Sequence, residues 1–121
     1  MDGKLILVGC GNMGFAMLSG WLKAGKLKPD EVLVVEPNEA LRRRVSDLKV
    51  EAVPDAADLP QALQPDLVMF AVKPQVIRAV VPAYRRFAAS GATFLSIAAG
   101  ARIALFEELL SADAPIVRCM P

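Results

Sequence analysis

Apolar positions in this chain come in short, evenly spaced blocks. Leu5 to Val8, Val32 to Val35, Leu67 to Val72, Thr93 to Ile97 and Ile116 to Val117 are apolar-rich runs, with Val50 to Val53 a weaker one. Each is too short for a helix, and most are rich in β-branched residues or bounded by breakers, so they are expected to be buried strands. Between them the period changes. Met13, Met17, Trp21 and Ala24 recur near every 3.6 residues, read as a core stripe, and Gly25 stands where that helix must stop. Leu41, Val45 and Leu48 form a second stripe behind a cap at Asn38, and Asp55 is placed to cap a short third helix. Val76, Val80, Tyr84 and Phe87 mark a fourth, kinked or broken at Pro82; Leu105 and Leu109 mark a fifth. Strands that alternate with helices throughout imply parallel strands joined by right-handed crossovers, hence an α/β fold with a doubly wound parallel sheet of about six strands.

Composition narrows the classes. With 121 residues, 55% of them hydrophobic and 22% charged, residues 1–121 are expected to form one domain with a substantial core. The net charge of +1 offers no broad field for nucleic acid or an anionic membrane, so neither is expected as a partner. Histidine is absent, which removes a histidine base and most zinc chemistry, and no metal is expected. Cys10 and Cys119 make no Cys-x-x-Cys pair, and an intracellular, cytoplasmic protein is the simpler expectation. Leu5 to Val8 is too short for a signal-peptide core, and no apolar stretch approaches membrane-spanning length. The chain stops at Arg118-Cys119-Met120-Pro121, directly after a strand signal, so a further domain is expected beyond it.

The chemistry-bearing motif is Gly9-Cys10-Gly11-Asn12-Met13-Gly14, which follows a strand and opens a helix. That context is what a dinucleotide-binding Rossmann turn requires. Gly9 allows the tight turn, Gly11 lets the backbone approach a pyrophosphate, and Gly14 lets helix and strand pack closely. The helix N-terminus then offers free N–H groups to the phosphates. Cys10 reads as a small buried filler and not a nucleophile. Glu36 ends the second strand, 22 positions beyond Gly14, where an acidic residue binds the adenosine ribose hydroxyls. A carboxylate there favours NADH over NADPH. Arg42, Arg43 and Arg44 follow, and one of them is a candidate for a 2′-phosphate; consecutive helical residues diverge by about 100°, so at least two are expected on a solvated face.

Methyltransferases that use S-adenosylmethionine share a glycine turn and an acidic strand end. The later strands argue against them: Ala71-Val72-Lys73-Pro74-Gln75 and Ser96-Ile97-Ala98-Ala99-Gly100 end strands in small residues or proline, where a flat nicotinamide can lie against backbone. In order and spacing, these blocks, the glycine turn and Arg118-Cys119-Met120-Pro121 resemble pyrroline-5-carboxylate reductase, along the whole chain. The resemblance implies a Rossmann domain that binds NADPH or NADH, followed in that family by a helical domain that forms the imine pocket and the homo-oligomer. It implies hydride transfer to 1-pyrroline-5-carboxylate to form L-proline. Family cofactor contacts carry over to the glycine turn, Glu36, Ala71, Val72, Lys73 and Pro74, and Ile97, Ala98 and Ala99. Glu36 departs from the small polar residue often found at that place, which suits NADPH. Lys73 is the one charge at the nicotinamide edge, read as a snorkelling side chain, and no residue receives a catalytic role. On its own the chain is expected to bind cofactor and turn over little substrate. A dehydrogenase of the 6-phosphogluconate or 3-hydroxyacid type, or a non-catalytic dinucleotide sensor, are the other readings.

Overall fold

A computed structural model describes residues 4–97, 103–111 and 114–118. Six strands form one parallel sheet: β1 (Leu5–Val8), β2 (Val32–Val35), β3 (Glu51–Val53), β4 (Leu67–Phe70), β5 (Thr93–Ser96) and β6 (Ile116–Arg118). Their spatial order is β3-β2-β1-β4-β5-β6, with every neighbouring pair parallel. The chain therefore winds outward from β1 to one edge, crosses back, and winds outward to the other. The crossover from β3 to β4 makes a switch point between β1 and β4, where ligands bind in such sheets. The Rossmann-type α/β architecture expected from the alternating pattern is the one observed.

Helices cover both faces. On one side α1 (Asn12–Lys23) and α2 (Glu39–Ser46) lay Leu18 and Val45 on Leu5, Leu7, Val32, Val34 and Met69. On the other, α3 (Ile77–Val80), α4 (Arg85–Ala89) and α5 (Ile103–Leu109) bring Ile77, Phe87 and Phe106 onto Ile6, Val8, Leu33 and Val68. The odd and even positions of each strand thus go to opposite cores, which is why β1, β2 and β4 at the centre of the sheet read as unbroken apolar runs. Pro82 breaks the fourth helical segment as expected: a 3-10 turn, Val81–Tyr84, separates α3 from α4. Gly25 has φ +71° just beyond α1, and the Asn38 side chain accepts the Leu41 N–H at 3.0 Å. Asp55 precedes a 3-10 turn, Ala56–Asp58.

Two expectations about the elements need correction. The strand expected over Leu67 to Val72 ends at Phe70. The Ala71 N–H still reaches Val8 O (2.8 Å), but Val72 then passes beneath Gly9 and Pro74 starts a 3-10 turn. Met13 does not belong to the core stripe: it is 53% exposed at the first turn of α1, and Gly14 and Leu18 carry the buried face, with Phe15, Met17, Trp21 and Leu22 packed beside them. The pattern misleads there because the first turn of α1 projects past the strand ends.

At the C-terminal end of β4, Phe70 meets Tyr84 edge-on (5.5 Å between centroids) and lies against Phe94 (6.1 Å) and Phe106 (5.7 Å). It joins a strand to three separate segments of the second core. Phe70→Ala is expected to cost about 3–5 kcal/mol, read as a lowered urea midpoint; a loss under 1 kcal/mol would mean that the cluster does not hold that core together.

Candidate functional site

The glycine turn leaves β1 with Gly9 at φ +88°, a conformation that suits glycine. A Cβ on Gly9 would lie 2.8 Å from Val72 Cγ1 and 3.0 Å from Ala71 O; one on Gly14 would lie 2.9 Å from Gly9 O and 3.3 Å from Ala71 Cβ. Both positions are closed by neighbouring chain. Gly11 differs, because a Cβ there would meet nothing within 4 Å. Gly11 also caps α1 without a side chain, and no acidic residue occupies the first turn. The leading N–H groups of a twelve-residue helix thus face open space with no side-chain acceptor. That is the arrangement that receives a phosphate.

Glu36 lies at the end of β2, only 7% exposed. Its Oε1 accepts the Cys10 N–H at 2.8 Å and its Oε2 accepts the Asn38 N–H at 3.0 Å. One carboxylate therefore ties the glycine turn to the start of α2. Two arginines complete the tie. Arg42 Nη1 donates to Glu36 O (2.9 Å) and Pro37 O (2.8 Å). Arg44 Nη2 donates to Cys10 O at 3.4 Å, and its guanidinium lies 4.0 Å from the Phe15 ring centroid. Arg44 Nε is buried without a partner among the described residues. Only Arg43 stands on the solvated face, paired with Glu39 at 2.9 Å. The expectation that at least two of the three would be solvated is thus corrected: Arg42 and Arg44 are long enough to turn back to carbonyls from opposite sides of α2.

Cys10 is fully buried. Burial pushes its thiol up to about 11, against the opposing pull of Arg44 and with a smaller push from Glu36. The group stays protonated at neutral pH, which fits a packing role.

A cleft of about 650 Å³ opens from the turn, within the range of small-molecule sites. Gly9, Gly11, Glu36, Ala71, Val72 and Lys73 line it. Cys10 and Gly14 are buried behind it, while Asn12, Met13 and Pro74 are exposed. Ile97 is buried at the end of β5, its N–H on Phe70 O at 3.2 Å, and is not part of the lining. Ala98 and Ala99 lie outside the described residues.

The sequence reading missed the far half of the cleft. Val76, Ala79, Val80 and Ala83 form one wall, facing Pro37, Leu41 and Pro54. Their spacing of 0, 3, 4 and 7 is itself a helical stripe, hidden because Val80 also fits the stripe of Val76, Tyr84 and Phe87. Tyr84 closes the floor; burial raises its phenol well above the ordinary range, and the Asp55 carboxylate adds to the rise.

Residues 4–100 match the family described as NADP oxidoreductase coenzyme F420-dependent. The chain belongs to that family. Over 122 aligned residues it is 30% identical to the pyrroline-5-carboxylate reductase of Escherichia coli, covering all of this chain and 45% of that protein. A pyrroline-5-carboxylate reductase structure from Coxiella burnetii superposes with a TM-score of 0.88 at 25% identity, over 100% of this chain and 44% of that one. The Plasmodium falciparum enzyme, solved with NADP bound, shares the fold at TM-score 0.80 and 24% identity, over 100% and 43%. The chain spans less than half the length of these relatives. Among the described residues, no helix is long and apolar enough to cross a membrane.

Two outcomes follow for this family's turn. Gly11→Ala is expected to leave the unfolding midpoint nearly unchanged and to weaken dinucleotide binding at least tenfold, whereas Gly14→Ala loses about 1–3 kcal/mol of stability. Equal binding by the Gly11 variant in a calorimetric titration would remove that residue from the cradle. The Cys10 thiol sets a pH limit. Its folded value exceeds its ordinary 9.0, so stability is intact below about 9 and falls as pH rises towards about 11, by up to about 2–3 kcal/mol. Cys10→Ala should show a smaller fall over that window; identical curves would refute the assignment.

Proposed function

We propose that this chain is the cofactor-holding unit of a pyrroline-5-carboxylate reductase and that it takes NADH in preference to NADPH. The observation that carries the reading is the open side of Gly11 at the uncapped start of α1, with Glu36 lining the same cleft. The sheet order supports it. The strand ends run from Asp55 past Glu36 and the glycine turn to Lys73, the order in which base, ribose, pyrophosphate and nicotinamide would lie. The relatives named above carry the substrate assignment.

The chain's own groups have defined tasks in this reading. First-turn N–H groups of α1 hold the pyrophosphate. Each Glu36 oxygen already accepts one backbone N–H and retains a lone pair for one ribose hydroxyl. A 2′-phosphate would instead face that buried carboxylate at close range. Ala71 and Val72 leave a flat approach to the backbone beside β4, and Lys73 stands exposed at its edge. When bound, a reduced nicotinamide would supply the hydride for the imine carbon of 1-pyrroline-5-carboxylate protonated on nitrogen, which would then become L-proline.

One observation favours a second cofactor reading. Arg44 holds a buried Nε that has no partner among the described residues, beside the glycine turn, and a 2′-phosphate would provide one. Side-by-side calorimetric titration with NADH and NADPH separates the two. Tighter NADH binding, reversed or abolished in Glu36→Ser, is expected. Tighter NADPH binding that is lost in Arg44→Met would transfer the assignment to Arg44. Proline formation from 1-pyrroline-5-carboxylate by the full-length gene product tests the substrate; its absence there would end the reductase reading.

A further inference from the structure

We infer that Met13 is a redox modification site: a peroxide converts its thioether to the sulfoxide, and the sulfoxide oxygen then opposes the dinucleotide's pyrophosphate at the start of α1. The inference rests on the dinucleotide reading of the cleft and adds a means of regulating that same site.

Accessibility is the first reason. A peroxide must reach the sulfur to oxidise it, so exposure sets which methionine reacts. Met13 is 53% exposed on the projecting first turn of α1, whereas Met69 is 2% exposed within the sheet and Met17 packs against the core that includes Leu18. Cys10 does not compete for the oxidant. Its thiol is fully buried and stays protonated at neutral pH, and the thiolate is the reactive form.

The second reason is what the side chain stands beside. Met13 is the second residue of α1. The Phe15 N–H donates to Gly11 O at 2.9 Å, so the N–H groups of Asn12, Met13 and Gly14 come before the helical ladder begins. No side chain caps them, and the first turn holds no acid. Gly11 leaves this end open to the cleft.

A thioether leaves such donors alone, because its sulfur accepts hydrogen bonds only weakly. A sulfoxide is polar, and its oxygen is a partly negative acceptor on a flexible stem. Oxidation therefore installs at the first turn the kind of acceptor that the native side chains do not supply. That oxygen competes with the pyrophosphate for the helix-end N–H groups, and it repels the anion where the helix end attracts it.

The step balances with hydrogen peroxide as the one co-reactant. A sulfur lone pair attacks one peroxide oxygen, the O–O bond breaks, an S–O bond forms, and water leaves with both protons. Sulfur loses two electrons and the peroxide gains them. A thiol-dependent sulfoxide reductase reverses the change, two thiols becoming a disulfide as the oxygen departs as water.

The test treats the full-length gene product with graded hydrogen peroxide at neutral pH and then removes the oxidant. Peptide mapping by mass spectrometry locates each added oxygen and separates Met13 from Met1, Cys119 and Met120, which lie outside the described residues. Calorimetric titration of the same samples with the preferred reduced dinucleotide reads the affinity. Met13 is expected to oxidise before Met17 and Met69. Protein carrying its sulfoxide should bind about tenfold more weakly, the scale of one hydrogen bond to a charged group. A methionine sulfoxide reductase with a dithiol should restore the affinity. Met13→Leu, whatever affinity it starts from, should keep it through the same treatment. Met13 no more reactive than Met17 and Met69, or Met13 sulfoxide formed with affinity unchanged, would overturn the inference. An equal fall in Met13→Leu would also overturn it, by placing the effect on another residue. If the untreated protein bound no dinucleotide, the dinucleotide reading itself would fall, and this one with it.

Discussion

Three stretches of backbone converge at Gly9 with less room than a methyl group needs. The exit of β1, the exit of β4 at Ala71 and Val72, and the first turn of α1 at Gly14 approach so closely that a Cβ on Gly9 or Gly14 would fall within 3 Å of a neighbour. This contact presses the N-terminus of α1 against the sheet at the point where strand order reverses. The partial positive charge of the helix end and the crevice of the switch point coincide only because of it. A side chain at either glycine would push α1 away and separate its N-terminus from the cleft.

Around that contact the structure spends polar groups on geometry. Glu36 is a nearly buried carboxylate, and burial of such a group is costly unless its oxygens are satisfied. Backbone N–H groups of Cys10 and Asn38 satisfy them, and in doing so fasten β2, the glycine turn and the start of α2 into one unit. Arg42 and Arg44 return from α2 to three carbonyls of the same unit. The gain and the desolvation cost of such a network largely offset each other. Its effect is to hold the turn in a receptive shape before any ligand arrives, which lowers the ordering cost of binding.

The cleft also depends on the opposite core. Pro82 divides the segment after β4, so that α3 and the following 3-10 turn bend over the strand ends. One side of that segment drops Ile77, Val81 and Tyr84 into the core around Phe70. The other side presents Val76, Ala79 and Ala83 to the cleft. Tyr84 serves both, as a ring in the aromatic cluster and as the cleft floor. Packing under β4 and the shape of the cleft are therefore coupled through a short broken helix.

Much of this was legible in order along the chain. Apolar runs marked all six strands, most plainly β1, β2 and β4, which are buried on both faces and carry no polar interruption. The spacing of the glycines marked the turn, since close backbone approach at Gly9 and Gly14 leaves no room for a side chain. Asn38, Gly25 and Pro82 announced a cap, a stop and a break through local backbone chemistry alone. What escaped depends on groups far apart in sequence. Met13 fitted a core stripe, but helix periodicity does not say where the sheet ends beneath it. The consecutive arginines looked solvated, but side-chain length and the position of α2 bring Arg42 and Arg44 back onto the turn. The far wall of the cleft was invisible because an alanine stripe signals a core as readily as a surface. The sequence by itself determined the α/β architecture and the glycine turn, because both follow from periodicity and steric demands local to the chain. Which groups Glu36 satisfies, and which residues face one another across the cleft, were decided only by the tertiary structure, because parallel strands bring together residues that twenty or more positions of chain separate.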